Sequence, residues 1–113
     1  IAPTLLRMAG IAPPNSMQGR DIGPVVRGEK VPWREDFFYE HTFEHPGIPK
    51  SEGVVSTSLK YLRYIDQDPV YEELFDLRKD PHEIVNLALD PAYSGTLKKM
   101  RNRYRELKES ARV

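Results

Sequence analysis

Near the end of the chain, Tyr93, Leu97, Met100, Tyr104, Leu107 and Ala111 recur at steps of four, three, four, three and four. That spacing lays all six on one stripe of an α-helix of about five turns, apolar along its length, which has to be covered. Asp90-Pro91 opens the helix. An aspartate there accepts from free first-turn amides, and proline loses nothing where its N–H would be unpaired. A chain of 113 residues can build one modest core. A rod of this length is therefore expected to lie across a flat partner, which gives two layers.

The partner is legible upstream. In Phe37–Phe43 the residues Phe37, Tyr39, His41 and Phe43 share one strand face, while Phe38, Glu40 and Thr42 take the other. His45-Pro46-Gly47-Ile48-Pro49-Lys50 cannot continue a ladder, since two prolines remove donors, and reads as a surface loop. Gly53–Ser56 and Leu59–Ile65 read as strands joined at Thr57-Ser58. Asp66-Gln67-Asp68-Pro69 is a turn, and Glu72–Leu77 a further strand. Strands this closely spaced pair antiparallel, because parallel pairs need long crossovers. Asp80-Pro81-His82-Glu83 predicts a short helical turn capped by Asp80. Ahead of the sheet, Ile1–Ala9 sets Ile1, Leu5 and Met8 on one helical face, with Gly10 as its stop. Asp21 is expected to cap a short run, Ile22–Arg27, closed by Gly28. The fold class is α+β: a small antiparallel sheet of about four strands packed against a long C-terminal helix, preceded by an N-terminal helical segment.

Composition removes several functions. No cysteine means no disulfide scaffold, thiolate metal site or cysteine nucleophile. No apolar run approaches 18 residues, which excludes a transmembrane helix. The balance of 17 basic and 17 acidic residues argues against a dedicated nucleic-acid binder. Charge is nevertheless uneven: residues 97–113 carry seven basic and two acidic side chains. That helix surface reads as a solvated face or, alternatively, as a self-standing module that grips polyanions through Lys98, Lys99 and Arg103. A membrane-surface helix would want larger apolar anchors than Met100 and Ala111. His41 and His45, with Glu40 and Glu44, suggest metal at first glance by their spacing. On a strand, however, the two histidines stand about 13 Å apart, and no third ligand is evident. Ile1 opens directly into an apolar pattern with no initiator Met, basic leader or cleavage site, which predicts a piece of a longer chain.

Three blocks carry a family resemblance. Ile1-Ala2-Pro3-Thr4-Leu5-Leu6 followed by Met17-Gln18-Gly19-Arg20-Asp21 resembles the stretch of type I sulfatases that leads out of their catalytic domain. Glu52-Gly53-Val54-Val55 with Leu59-Lys60-Tyr61-Leu62-Arg63 resembles the hairpin of their C-terminal subdomain. Glu73-Leu74-Phe75-Asp76-Leu77, then Asp80-Pro81-His82-Glu83 and Asn86-Leu87, is similar to the signature that closes it. The blocks occur in the family's order and span nearly the whole chain.

The resemblance implies the C-terminal part of a sulfuric-ester hydrolase, an arylsulfatase-like member of the alkaline phosphatase superfamily. It also implies a periplasmic or secreted protein. Residues 1–30 would be a helical segment and linker from an absent catalytic domain, and 31–113 the subdomain itself. In the family a Cys or Ser within C/S-x-P/A-x-R becomes formylglycine, and calcium holds the sulfate oxygens. Neither cofactor is expected here: Ser16 and Arg20 have the spacing, but Gln18 stands at the Pro/Ala position. Val55 takes the place of an arginine in the family's Gly-Val-Arg-Thr pattern. The end of the first strand and its loop would face the cleft, so that His41, His45 and Lys50 touch the non-sulfated part of a substrate, such as a sulfated carbohydrate. The apolar first segment (Ile1, Leu5, Leu6, Met8) would be left without its partner and drive self-association.

Overall fold

The computed structural model describes residues 1–111 and divides into two compact units, Ile1–Trp33 and Arg34–Val113. In the first unit, helix α1 spans Ala2–Met8 and helix α2 spans Gly23–Val26. Gly10 ends the first helix at φ +74°, a left-handed conformation that glycine adopts without a Cβ clash; its amide donates to Arg7 O. Asp21 is not the cap: the helix starts one residue later than expected, with Ile22 at the N-cap, and Asp21 Oδ1 accepts from Gly23 N at 2.8 Å from one position further out. Thr4 Oγ1 accepts from Ile22 N and ties the two helices together. The Arg20 guanidinium lies 4.8 Å from the centre of the Trp33 ring. Ile1 and Met8 remain more than 80% exposed and Leu5 is exposed too, so the apolar face read from the sequence is uncovered.

The second unit is an antiparallel meander: β1 (Asp36–His41), β2 (Ser51–Ser56), β3 (Leu59–Tyr64) and β4 (Tyr71–Asp76), in spatial order β1-β2-β3-β4. A short 3-10 turn, Pro91–Tyr93, leads into helix α3, Ser94–Ala111. Asp90 Oδ1 accepts from Ala92 N at 2.9 Å, which is the expected cap. Ser56 Oγ accepts from Leu59 N and closes the β2–β3 hairpin. Strand β1 stops two residues short of its expected end, because β2 begins only at Ser51 and the Pro49 before it has no N–H to offer a ladder.

Cross-strand register decides the faces, since paired residues project to the same side. Phe38, Val54, Tyr61 and Leu74 form one row, and α3 lies over it with Leu97, Met100 and Tyr104. Tyr93 and Leu107 extend the stripe, half-buried. The core therefore takes the Phe38 face of β1; of the opposite face, Phe37 is 44% exposed, and Phe43 beyond the strand end is 68% exposed. Gly53 is required by close approach: a Cβ there would sit 2.2 Å from Tyr61 O and 2.8 Å from Tyr39 Cε1.

After β4 the expected helical turn does not form. Asp80–Glu83 makes hydrogen-bonded turns, and Glu83 sits at φ +55°, which interrupts any helical run. The segment instead closes the sheet edge. Asn86 Oδ1 accepts from Leu74 N at 3.0 Å and from Ala88 N at 2.9 Å. Its Nδ2 donates to Glu72 O at 3.0 Å and to Tyr71 Oη at 3.2 Å. Leu87 N donates to Leu74 O at 2.8 Å, while Lys79 N and Asp80 N donate to Asp76 O. Every outward carbonyl of alternate β4 residues is thus answered within the chain.

Candidate functional site

The loop from Thr42 to Lys50 leaves β1 and returns to β2 at one end of the sheet. Ile48 N donates to His45 O, which pinches the loop around Pro46-Gly47 and brings Lys50 back against Glu44. Lys50 Nζ lies 2.9 Å from Glu44 Oε1 and 3.9 Å from Asp66 Oδ2. The hydrogen bond to Glu44, then the charges of Asp66 and Glu44, hold the lysine above its ordinary pKa, and Lys50 lowers that of Glu44. These groups, with His45, Pro46 and Ile48, line a hollow of about 450 Å³.

Of the three site residues read from the sequence, the structure brings His45 and Lys50 together in this hollow. His41 is elsewhere. It ends β1 opposite Ser51, on the face away from α3, and its buried Nε2 has no hydrogen-bond partner. Sequence reasoning weighed Glu44 only as a metal ligand and passed over Asp66. The signal lay in the hairpin: Lys50 and Asp66 flank strands whose register pairs Ser51 with Tyr64, so both fall at the same end.

Part of the basic helix is committed inward, through Arg101, Arg103 and Lys108. A row formed by Glu52, Arg63 and Glu72 faces α3 beneath the apolar layer. Glu52 accepts from Tyr104 Oη and from Lys108 Nζ at 2.5 Å. Glu72 accepts from Tyr61 Oη and from both Nε (3.0 Å) and Nη2 of Arg101. Burial pushes both carboxyls up, but their cations and tyrosyl donors outweigh it and leave them below the usual range. Arg103 grips Asp36 with two bonds, 2.6 and 2.9 Å, which lowers that carboxyl as well. Arg63, with its Nε unpartnered, stacks its guanidinium 5.2 Å from the Tyr104 ring centre. Of the three side chains offered for polyanions, Arg103 is spent on an internal carboxylate, as are its helix neighbours Arg101 and Lys108, while Lys98 and Lys99 stay exposed; Arg112 lies outside the described residues. Val55 faces away from the helix beside Lys60, whose ammonium pairs with Glu83. Among the described residues no three His, Asp or Glu side chains converge as metal ligands.

The build is that of the C-terminal subdomain of sulfatases in the alkaline phosphatase superfamily. The chain belongs to the family described as N-sulphoglucosamine sulphohydrolase, C-terminal, which matches residues 1–110. It is 37% identical over 106 residues to a Delta 4,5-hexuronate-2-O-sulfatase of Bacteroides thetaiotaomicron, covering 86% of this chain and 20% of that protein. It is 30% identical over 112 residues to a multifunctional alkaline phosphatase superfamily protein of Trinickia caryophylli, covering 87% and 21%. A solved structure bound to its substrate, D-glucosamine-2-N,6-O-disulfate, superposes with a TM-score of 0.84 at 24% identity, over 96% of this chain and 23% of that one; the likeness is one of fold. The chain thus spans about a fifth of the length of these relatives.

Proposed function

We propose that this chain is the C-terminal subdomain of a sulfuric-ester hydrolase, where it braces the enzyme and forms one wall of the substrate cleft. The observation that carries the reading is the family match across residues 1–110, a region that makes up about a fifth of the related sulfatases. Sulfate cleavage by formylglycine and calcium would belong to a catalytic domain outside these residues. Here Gln18 breaks the modification motif, and among the described residues no three His, Asp or Glu side chains converge. The chain's own contribution is positional. The helix, fastened by its buried carboxylate pairs, holds the sheet rigid, and the sheet end presents the Glu44–Lys50 loop to the cleft.

A sulfated sugar is the substrate class favoured by the hexuronate sulfatase relative and by the glucosamine disulfate seen in the structural neighbour. His45 and Lys50, with His41 at the end of the strand that carries their loop, contact its non-sulfated part. The enzyme works in the periplasm or outside the cell. The exposed Ile1, Leu5 and Met8 pack on the catalytic domain and drive self-association when it is absent, which sedimentation of residues 1–113 reads directly.

The test uses the full-length enzyme. It should hydrolyse an aryl sulfate, and residues 1–113 alone should not. Lys50→Ala and His45→Ala in the full enzyme should raise KM for a sulfated disaccharide more than for a small aryl sulfate. Turnover by the isolated subdomain would refute the proposal.

A further inference from the structure

The hollow beside His45 has a charge that a sulfated substrate would feel. Lys50 is its only ammonium among the lining residues, and Glu44 and Asp66 already stand against it at 2.9 and 3.9 Å. One ammonium facing two carboxylates leaves an excess of one negative charge among these three side chains. A sulfate group entering it finds no free cation and two carboxylates, a like-charge encounter that is unfavourable even in a half-exposed site. A hydroxyl finds the opposite: carboxylate oxygens accept from it, and the ammonium and imidazole complete its hydrogen bonds. The volume of about 450 Å³ lies within the range of small-molecule sites.

We propose that Glu44 and Asp66 determine specificity by admitting an uncharged, hydroxyl-bearing sugar ring to this hollow and turning away one that carries a further sulfate. This rests on the cleft-wall reading above and adds an order of events to it. A neighbouring ring that bears a sulfate ester must first lose it. That step is a separate hydrolysis in which water returns the hydroxyl and releases inorganic sulfate and a proton. The enzyme is thus a late worker on a multiply sulfated saccharide.

The experiment measures competitive inhibition of aryl sulfate turnover by the full-length enzyme, using a monosulfated disaccharide and its disulfated analogue. At low salt the monosulfated sugar should bind about tenfold more tightly, the scale of one uncompensated like charge near the surface. The ratio should shrink as salt is raised, because both carboxylates are solvent-accessible. In the Glu44→Gln/Asp66→Asn variant it should fall to about twofold or less. An unchanged ratio in that variant, or tighter binding of the disulfated sugar by the wild type, overturns the proposal. Lys50→Ala separates the two layers of inference. If it weakens both sugars while the ratio ignores the carboxylates, the charge filter fails and the cleft wall stands. If it weakens neither, or neither sugar inhibits, the cleft-wall reading itself fails.

Discussion

Replacing Glu52 by glutamine asks how the long helix is held to the sheet. The side chain is only 5% exposed, and its carboxylate takes the Tyr104 hydroxyl and the Lys108 ammonium. Glutamine keeps the volume and one acceptor oxygen but leaves Lys108, itself two-thirds covered, without its counter-charge. A hydrogen bond to a charged group contributes about 1.5–3 kcal/mol, and breaking a buried pair costs about 3–5 kcal/mol. Lys108 retains some water, so the loss should be about 3 kcal/mol, a large part of the stability of a domain this size. The assay is urea unfolding at pH 7 and pH 3, with the slope checked for constancy. Glu52 titrates below its ordinary 4.5 in the folded chain. Its contribution is therefore complete above that value and is lost as pH falls through the lower folded one. The gap between wild type and variant should be widest at pH 7 and should narrow at pH 3. A loss under 1 kcal/mol at pH 7, or a gap that ignores pH, would refute this account of the fastening.

Asn86→Ala should cost about 2–3 kcal/mol and speed hydrogen exchange at the Leu74 and Ala88 amides, since it removes the partner of both. Gly53→Ala should destabilise by more than about 3 kcal/mol, because the new methyl meets backbone at 2.2 Å; a thermal melt within a few degrees of wild type would contradict the close approach. Tyr64, pushed up to about 12 by burial and by its bond to Glu73, should show its tyrosinate absorbance near that pH. Its contribution to stability is whole below pH 10 and declines as pH rises toward 12, so Tyr64→Phe should shrink the alkaline limb that it shares with the other raised tyrosines, Tyr39, Tyr61 and Tyr104.

The helix and its cap were legible because the Tyr93–Leu107 stripe and Asp90-Pro91 are local signals with a single reading. The strands were legible to within two residues, since their ends depend on where the partner strand begins. Which face of β1 meets the helix was not: Phe37 and Phe38 are both aromatic, and only the register with Val54 and Val55 selects between them. Asp80-Pro81-His82-Glu83 misled because its cap chemistry suits a helix, while the long-range pairing of Lys60 with Glu83 favours a left-handed kink. For the site, His45 and Lys50 could be read from the loop, yet their acidic neighbour Asp66 comes from another hairpin. Three-dimensional closure alone makes it a neighbour.

The closure of β4 by Asn86 and Leu87 has a directional consequence. A sheet recruits another strand only where ladder groups stand unanswered, and on that flank a side-chain amide and the following backbone already occupy them. Strand addition along β4, whether by another part of a larger enzyme or by an unwanted aggregate, would first have to displace these bonds. The Asn-Leu pair acts as a selvedge, binding off that border of the fabric.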